Sequence, residues 1–213
     1  MPADIRVVNT CPQHAAALEA VQRRVFAHLP EYAQYSAAMY LRHLEVFPEG
    51  QFCALLLENG EQLAIGATTT FRTADFDHIR QPFTEGVSWL AFHEPEGEWL
   101  YGADLSVHPD YQRRGVGSAL YAARAGLAQR LNLRGEVAAG LLSGYYRYRK
   151  SMSIDDYAAK VAAGELHDPT VTMQLRNGFV LREVLYDYVD NVESANCAAL
   201  IVRENPAYQP GLT

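Results

Sequence analysis

The stretch HPDYQRRGVGSALYAA, residues 108–123, joins a predicted strand to an alanine-rich predicted helix. The start of a helix leaves backbone N–H groups without intrahelical partners, and the helix dipole makes that end partly positive. A Ser, Asp or Asn side chain usually caps such an end. Here Gln112, Arg113 and Arg114 precede Gly115 instead. The stretch therefore predicts an anion site at the helix start, most naturally for a phosphate or a pyrophosphate.

Two structural alternatives to an anion site remain open at this point. The two glycines, Gly115 and Gly117, can serve only to permit tight packing, and Asp110 can cap the helix if it begins earlier. Other phosphate-binding motifs are excluded by inspection. The chain has no Gly-x4-Gly-Lys-Ser/Thr string, and a hairpin rather than a parallel βαβ unit precedes the site, which argues against a dinucleotide fingerprint.

The composition is that of a soluble globular protein. Of its 213 residues, 49% are apolar and 20% are charged, and this length suits one domain. A net charge of −7 argues against general affinity for nucleic acid or anionic membrane. The three cysteines are widely spaced, show no metal-ligand spacing and predict no disulfide framework, which favours a reducing cytoplasm. No apolar run is long enough to span a bilayer, and the start has no apolar signal region.

Hydrophobic periodicity predicts an alternating series of strands and helices. In chain order it comprises a strand at 5–8, helices at 13–28 and 34–46, a hairpin turning at Asn59-Gly60, an irregular excursion at 73–97, a strand at 98–109, the helix after Gly115, a strand at 135–142, helices at 153–164 and 169–177, and closing strands at 179–189 and 197–204.

The string Val107-x-Pro109-x-x-Gln112-Arg113-Arg114-Gly115-Val116-Gly117 resembles the acetyl-CoA-binding motif of the GNAT acyltransferases, whose core is Gln/Arg-x-x-Gly-x-Gly/Ala. The order of elements around it is similar too. The resemblance implies an α/β (α+β) fold, with a mixed, mostly antiparallel, splayed sheet of about seven strands and about four main helices. It also implies that residues 1–213 form a single domain with insertions near 73–97 and 142–166.

Within this superfamily, GYYRYRK (144–150) and IDDYAAKVAAGELHDPTVTMQLRNGF (154–179) resemble the GNAT-like domains found fused to nitrilase-type carbon–nitrogen hydrolases. No hydrolase domain fits in a chain of 213 residues. We therefore interpret this likeness as kinship and not as a second activity.

The resemblance implies that the cofactor is acetyl-CoA. Backbone N–H groups from Gln112 to Ser118 would hold the pyrophosphate, and the strand around Leu105–Val107 would pair with the pantetheine arm. His167 stands where relatives often carry an Asn that contacts this arm, although a loop histidine is more often simply solvated. The predicted cofactor-binding residues are Leu105, Ser106, Val107, Gln112, Arg113, Arg114, Gly115, Val116, Gly117, Ser118 and His167.

Acyl transfer to an amine needs a neutral amine, a polarised thioester carbonyl and a proton for the leaving thiolate. Asp104, just before the pantetheine segment, is the first candidate for the base. A backbone N–H of Leu105 or Ser106 would polarise the carbonyl. Many relatives carry Tyr four residues before the Gly-Phe pair, where this chain has Gln174, and an amide is not a useful proton donor.

Tyr145 and Tyr146, in a tyrosine-rich segment after the predicted strand 135–142, are the alternative source of a phenol. Each catalytic candidate has a structural alternative: Asp104 can pair with an arginine, and the tyrosines can pack around a pocket. Water can also protonate the thiolate.

The sequence thus predicts an N-acetyltransferase that moves an acetyl group directly from acetyl-CoA to an amine, either a small molecule or a peptide, with no metal. Neither nucleic acid nor membrane is an expected partner, and a homodimer is among the assemblies that the resemblance allows. The alternative is a CoA-binding regulatory or interaction module without turnover. A third hypothesis, a site for another anion such as a nucleotide, has no base-recognition motif to support it.

Overall fold

The computed structural model describes residues 4–58 and 60–211 and contains one seven-stranded sheet. The strands are β1 (Asp4–Asn9), β2 (Phe52–Glu58), β3 (Glu61–Thr73), β4 (Trp99–Val107), β5 (Gly135–Leu141), β6 (Val180–Leu185) and β7 (Ala198–Glu204). Their order across the sheet is β1-β2-β3-β4-β5-β7-β6, and among the described pairs β4–β5 alone is parallel. The mixed, mostly antiparallel sheet expected from the sequence is confirmed.

Helices cover both faces of the sheet. They are α1 (Ala15–Val25), α2 (Ala37–Val46), α3 (Glu85–Ser88), α4 (Val116–Arg130), α5 (Ile154–Ala162) and α6 (Val171–Arg176). On one face, α4 packs Leu120 against Leu100, while α5 and α6 pack on the part of the sheet formed by β5 and β7. On the other face lie α1, α2 and the segment 73–97, which buries Leu90 against Tyr101. None of the described helices is long and apolar enough to cross a membrane.

Several element boundaries differ from the predicted ones because local capping decides them. α2 begins at Ala37 because the Ser36 hydroxyl accepts a hydrogen bond from the Met39 N–H at 3.3 Å. The excursion at 73–97 is mostly irregular, as expected, but includes the single turn of α3. The β2–β3 hairpin forms, with Glu58 opposite Glu61, whereas Asn59 of its predicted turn lies outside the described residues.

The two central strands separate partway along their length. β4 and β5 pair from Trp99 opposite Gly135 to Gly102 opposite Ala138, and both strands then continue without further pairing to each other. β4 stays paired with β3 on its other edge as far as Val107. We call the opening between β4 after Gly102 and β5 after Ala138 the fork.

A β-bulge lies at the base of the fork. Thr69 is opposite Asp104 and Thr70 is opposite Gly102, so Ala103 is an extra residue on β4. A bulge interrupts the alternation of side chains along a strand. As a result Asp104 lies on the face covered by α1, where Gln22 contacts it, while Gly102 faces α4.

Candidate active site

The head of α4 presents unpaired backbone N–H groups beside the fork. Gly115 is the N-cap residue with φ 83°, and no side chain caps the helix. The first helical hydrogen bond runs from the Ala119 N–H to the Gly115 carbonyl at 3.0 Å, so the N–H groups of residues 116–118 precede it. Asp110 lies in a separate 3₁₀ turn, and the alternative in which it caps α4 is not realised.

The loop before α4 is held by its own contacts. Gln112 donates from Nε2 to the Val107 carbonyl at 3.1 Å, and the Arg114 guanidinium lies 5.3 Å from the centre of the Tyr111 ring. Arg113 is left-handed, with φ 58°, and both arginines are exposed. The exposed guanidiniums add positive charge beside the uncapped N–H groups at the head of α4.

Gly117 permits close packing between α4 and α6. A Cβ at this position would stand 3.0 Å from the Met173 sulfur and 3.9 Å from Leu105 Cδ2. Gly115 has open space around its Cβ position, so its requirement is conformational: a φ of 83° strains any residue with a side chain. Gly117 therefore does permit tight packing, as one of the structural alternatives proposed. This role does not exclude an anion site at the head of α4.

The fork edge of β4 is available for backbone pairing. Leu105, Ser106 and Val107 are opposite Thr68, Ala67 and Gly66 of β3. In the described residues, no strand pairs with their other edge. An extended ligand with amide groups can therefore pair there as a strand would.

Asp104 is held by a buried glutamine on α1. Gln22 donates from Nε2 to Asp104 Oδ2 at 2.6 Å, and the same nitrogen lies 3.5 Å from the Ser106 hydroxyl oxygen. The Asp104 side chain is half-buried, and loss of solvent raises its pKa to about 7. Hydrogen bonding from Gln22 and the positive charge of Arg124 oppose that rise. A carboxyl with this pKa can take up and release a proton near neutral pH.

Two buried tyrosines on the α1 and α2 side approach the same carboxylate. The Asp104 charge contributes, after burial, to raising the pKa of Tyr35 and of Tyr40 well above the usual value. Among the described residues, neither hydroxyl has a hydrogen-bond partner that fits good geometry, and neither does Gln22 Oε1. The sequence did not predict that Gln22, Tyr35 and Tyr40 surround Asp104. The one local signal is that Gln22, a polar residue, interrupts the apolar stripe of α1 that includes Leu18.

Three predicted residues are not brought to the fork. The Tyr145 hydroxyl donates to the Met152 carbonyl at 3.1 Å, and its ring packs against Tyr157. Tyr146 is 44% exposed, and its hydroxyl accepts from Arg147 Nε at 2.9 Å. His167 is exposed on a loop. The packing alternative therefore describes Tyr145, and the solvated alternative describes His167.

The residue after His167 has a structural role that the sequence analysis did not identify. The buried Asp168 accepts from the N–H groups of Thr170 and Val171 at 2.8 Å, which fixes the start of α6. Its other oxygen accepts from the Gly144 N–H at 2.9 Å and the Tyr157 hydroxyl at 3.0 Å. One carboxylate therefore ties α5, α6 and the loop after β5 together.

A buried ionic cluster lies beneath the closed part of β4 and β5. The Glu136 carboxylate is 2.9 Å from Arg124 Nε and also pairs with Arg203. Arg124 is 1% exposed, and its guanidinium occupies the space where a side chain on Gly102 would stand. Two guanidiniums thus share one carboxylate, so the cluster keeps a positive charge at the base of the fork.

The comparisons with known proteins agree with this geometry. A model of the Acetyltransferase (GNAT) family matches residues 17–143. "Probable hydrolase YhcX" of Bacillus subtilis (strain 168) is 35% identical over 176 residues, covering 81% of this chain and 34% of that protein. "Uncharacterized N-acetyltransferase YkwB" of the same organism is 31% identical over 184 residues, covering 84% of this chain and 79% of that protein.

The chain therefore spans about a third of the length of one relative and most of the other. Among solved structures, the GphF GNAT-like decarboxylase in complex with isobutyryl-CoA has a TM-score of 0.76 at 22% identity. That likeness covers 94% of this chain and 99% of the other.

Proposed function

Because the chain belongs to the GNAT acetyltransferase family, we propose that it transfers an acetyl group from acetyl-CoA directly to an amine. Family membership confirms the acyltransferase class and the acyl-CoA cofactor expected from the sequence. The observation that supports the proposal most directly is that three features of the site lie in a row along the fork. The uncapped head of α4, the unpaired edge of β4 and the Asp104 carboxyl follow one another along the fork.

In this proposal, backbone groups make most of the contacts with acetyl-CoA. The N–H groups from Arg113 to Ser118 bind the pyrophosphate, with Arg113 and Arg114 adding charge. The Gln112 N–H, which the sequence analysis included, instead donates to the Pro109 carbonyl at 3.3 Å. The edge of Leu105, Ser106 and Val107 pairs with the amides of pantetheine. This places the thioester near the bulge at Ala103, where a backbone N–H of Leu105 or Ser106 polarises the carbonyl.

Asp104 is the proposed base. An amine acceptor arrives as an ammonium ion and attacks only after it loses a proton. With a pKa raised to about 7 by burial, Asp104 is partly ionised at neutral pH and accepts that proton directly or through water. Gln22 positions the carboxyl by its 2.6 Å hydrogen bond. The negative charge of the ionised form also favours a cationic acceptor over an anionic one.

The experiment is an assay of thiol release with acetyl-CoA and a panel of small amines and peptides. We expect release of free CoA that depends on the added amine. Asp104→Asn should lower kcat by about 100-fold or more, the usual contribution of a general base, while its affinity for CoA stays unchanged. Asp77→Asn is the matched control, because Asp77 is an exposed carboxylate in the 73–97 segment.

Two outcomes would contradict the proposal. Tight CoA binding without thiol release on any amine would favour the regulatory module. Release of carbon dioxide from malonyl-CoA without release of free thiol would instead indicate a decarboxylase, like the GNAT-like decarboxylase that the chain resembles in fold.

A further inference from the structure

One tyrosine on α4 lies level with the open part of the fork. Gly117 of α4 is beside Leu105, and Arg124 of α4 is beside Gly102. Tyr121 lies between these two α4 positions. Its height along β4 therefore falls between Gly102 and Leu105, where β4 and β5 no longer pair.

The side chain of Gln174 reaches the same place from α6. Gly140 is two residues beyond Ala138, the last residue of β5 that pairs with β4. A Cβ on Gly140 would stand 2.1 Å from Gln174 Oε1, so the amide occupies the space that the missing side chain leaves. Gln174 is buried, and in the described part of the chain its Oε1 has no hydrogen-bond partner.

Tyr121 and Gln174 interact at this point. Burial raises the pKa of the Tyr121 hydroxyl, while the charge of Arg124 and a hydrogen bond with the Gln174 amide oppose that rise. Arg124 lies 5.1 Å and Arg203 6.0 Å from the centre of the Tyr121 ring. The hydroxyl is therefore near the Gln174 amide, and the Tyr121 ring lies in a positive field that favours an anion formed nearby.

We infer that Tyr121 donates the proton to the CoA thiolate as it leaves, and that Gln174 positions its hydroxyl. This inference rests on the proposed acyl transfer. When the tetrahedral intermediate collapses, the C–S bond breaks and sulfur keeps the electron pair. The Tyr121 O–H then gives its proton to sulfur, and the resulting phenolate recovers a proton from water. The amine proton leaves separately through Asp104.

The other buried tyrosines are less well placed for this step. Tyr35 and Tyr40 lie on the α1 and α2 side of the sheet, with Asp104. Tyr145 donates its hydroxyl proton to the Met152 carbonyl. Tyr121 is on α4, the helix whose head is assigned to the pyrophosphate, and Gln174 of α6 lies near its hydroxyl.

The first test does not require turnover. The pKa of the thiol of bound CoA is measured from its thiolate absorbance in the ultraviolet, with the desulfo-CoA complex subtracted to remove the titration of the protein's own tyrosines. A hydroxyl that donates to sulfur stabilises the thiolate. We expect Tyr121→Phe to raise the bound thiol pKa by about one unit, with CoA affinity changed by less than about threefold. Tyr145→Phe, the matched control, should leave that pKa unchanged.

The second test uses the acyl transfer itself. Tyr121→Phe should lower kcat by about 100-fold with little change in the KM for acetyl-CoA, and the fall in kcat at alkaline pH should disappear. The double variant Tyr121→Phe/Gln174→Tyr returns a phenol to the α6 position and should recover part of kcat.

These outcomes separate the two hypotheses. If the wild-type protein binds CoA but releases no thiol with any amine, the proposed function fails, while the thiol pKa still decides whether Tyr121 contacts sulfur. If the wild type turns over and folded Tyr121→Phe keeps both its kcat and the bound thiol pKa, the inference about Tyr121 is overturned.

Discussion

The two halves of β4 differ in what holds them. From Trp99 to Gly102 the strand is paired on both edges and lies over the Arg124–Glu136 ion pair. From Ala103 to Val107 it keeps β3 on one edge only, and the fork opens on the other. The first half is closed on both edges. The second has one unpaired backbone edge and the Asp104 carboxyl with its raised pKa, and it lies beside the uncapped N–H groups at the head of α4.

This difference separates stability from function along a single strand. A buried ion pair in the closed half can be broken only at a cost to folding, since water does not replace the lost partner. Groups in the open half are not tied into such a buried ion pair, so changing them should affect binding or pH dependence more than stability.

The closed half should be the more sensitive to loss of a charge. Glu136→Gln leaves the buried guanidinium of Arg124 and the partly buried guanidinium of Arg203 without their shared carboxylate. We expect the free energy of unfolding to fall by about 3–5 kcal/mol in urea titrations. Glu98→Gln is the control: Glu98 pairs with Arg134 at 2.9 Å on the surface, and its loss should cost less than about 1 kcal/mol. Equal losses for the two variants would contradict the distinction.

The open half should lose affinity rather than stability. Gly115→Glu places a negative side chain at the head of α4, and we expect CoA affinity to fall by about 100-fold in calorimetric titration, or about 3 kcal/mol. Gly164→Glu is a matched control, since Gly164 also has a positive φ, of 76°, and open space around its Cβ position. Both variants should carry the same backbone strain. Unchanged affinity in folded Gly115→Glu would exclude the helix head as the pyrophosphate site.

The contrast also explains what the sequence could predict. The helix head depends on residues that are neighbours in the chain, from His108 to Ser118, so its uncapped start and its glycines are visible in one stretch. The order of strands and helices follows from periodicity and turns for the same reason. The bulge at Ala103 and the end of β4–β5 pairing arise from the register of separate strands, which no local pattern specifies.

The side chains of the site were harder to predict because they come from distant parts of the chain. Gln22 contacts Asp104 across 82 positions. Its one local signal, a polar residue within an apolar stripe, does not say what it contacts. Tyr121 and Arg124 also lie within a helix whose pattern indicated only core packing. The tyrosine-rich segment attracted attention by composition, yet the Tyr145 hydroxyl is satisfied by a carbonyl seven residues away.

The raised pKa of Asp104 should make stability depend on pH. Its pKa is about 7 in the folded protein against an ordinary value of 3.8 for an aspartate in water, so the folded state binds more protons between these two pH values. The free energy of unfolding should therefore fall as pH rises through this window, and the loss should be complete above about pH 7. Because the side chain is only half-buried, we expect about 2 kcal/mol rather than the full value of the shift.

The measurement is the difference in unfolding free energy between about pH 5 and about pH 8, in the wild type and in Asp104→Asn. The asparagine variant keeps an acceptor for Gln22 and removes the titration, so contributions from other groups cancel in the comparison. We expect the wild type to lose more stability than the variant over this range. An equal loss in both would mean that Asp104 is not desolvated.

The smallest effect is expected at Tyr145, which the tyrosine-rich segment suggested as a proton donor and which the structure places away from the fork. Tyr145→Phe removes one partly buried hydrogen bond to the Met152 carbonyl and leaves the contact between the rings of Tyr145 and Tyr157. The free energy of unfolding should fall by about 1 kcal/mol, and CoA affinity and thiol release should stay within about twofold of the wild type. A large loss of kcat at unchanged stability would instead place this phenol at the fork and would contradict a purely structural role for Tyr145.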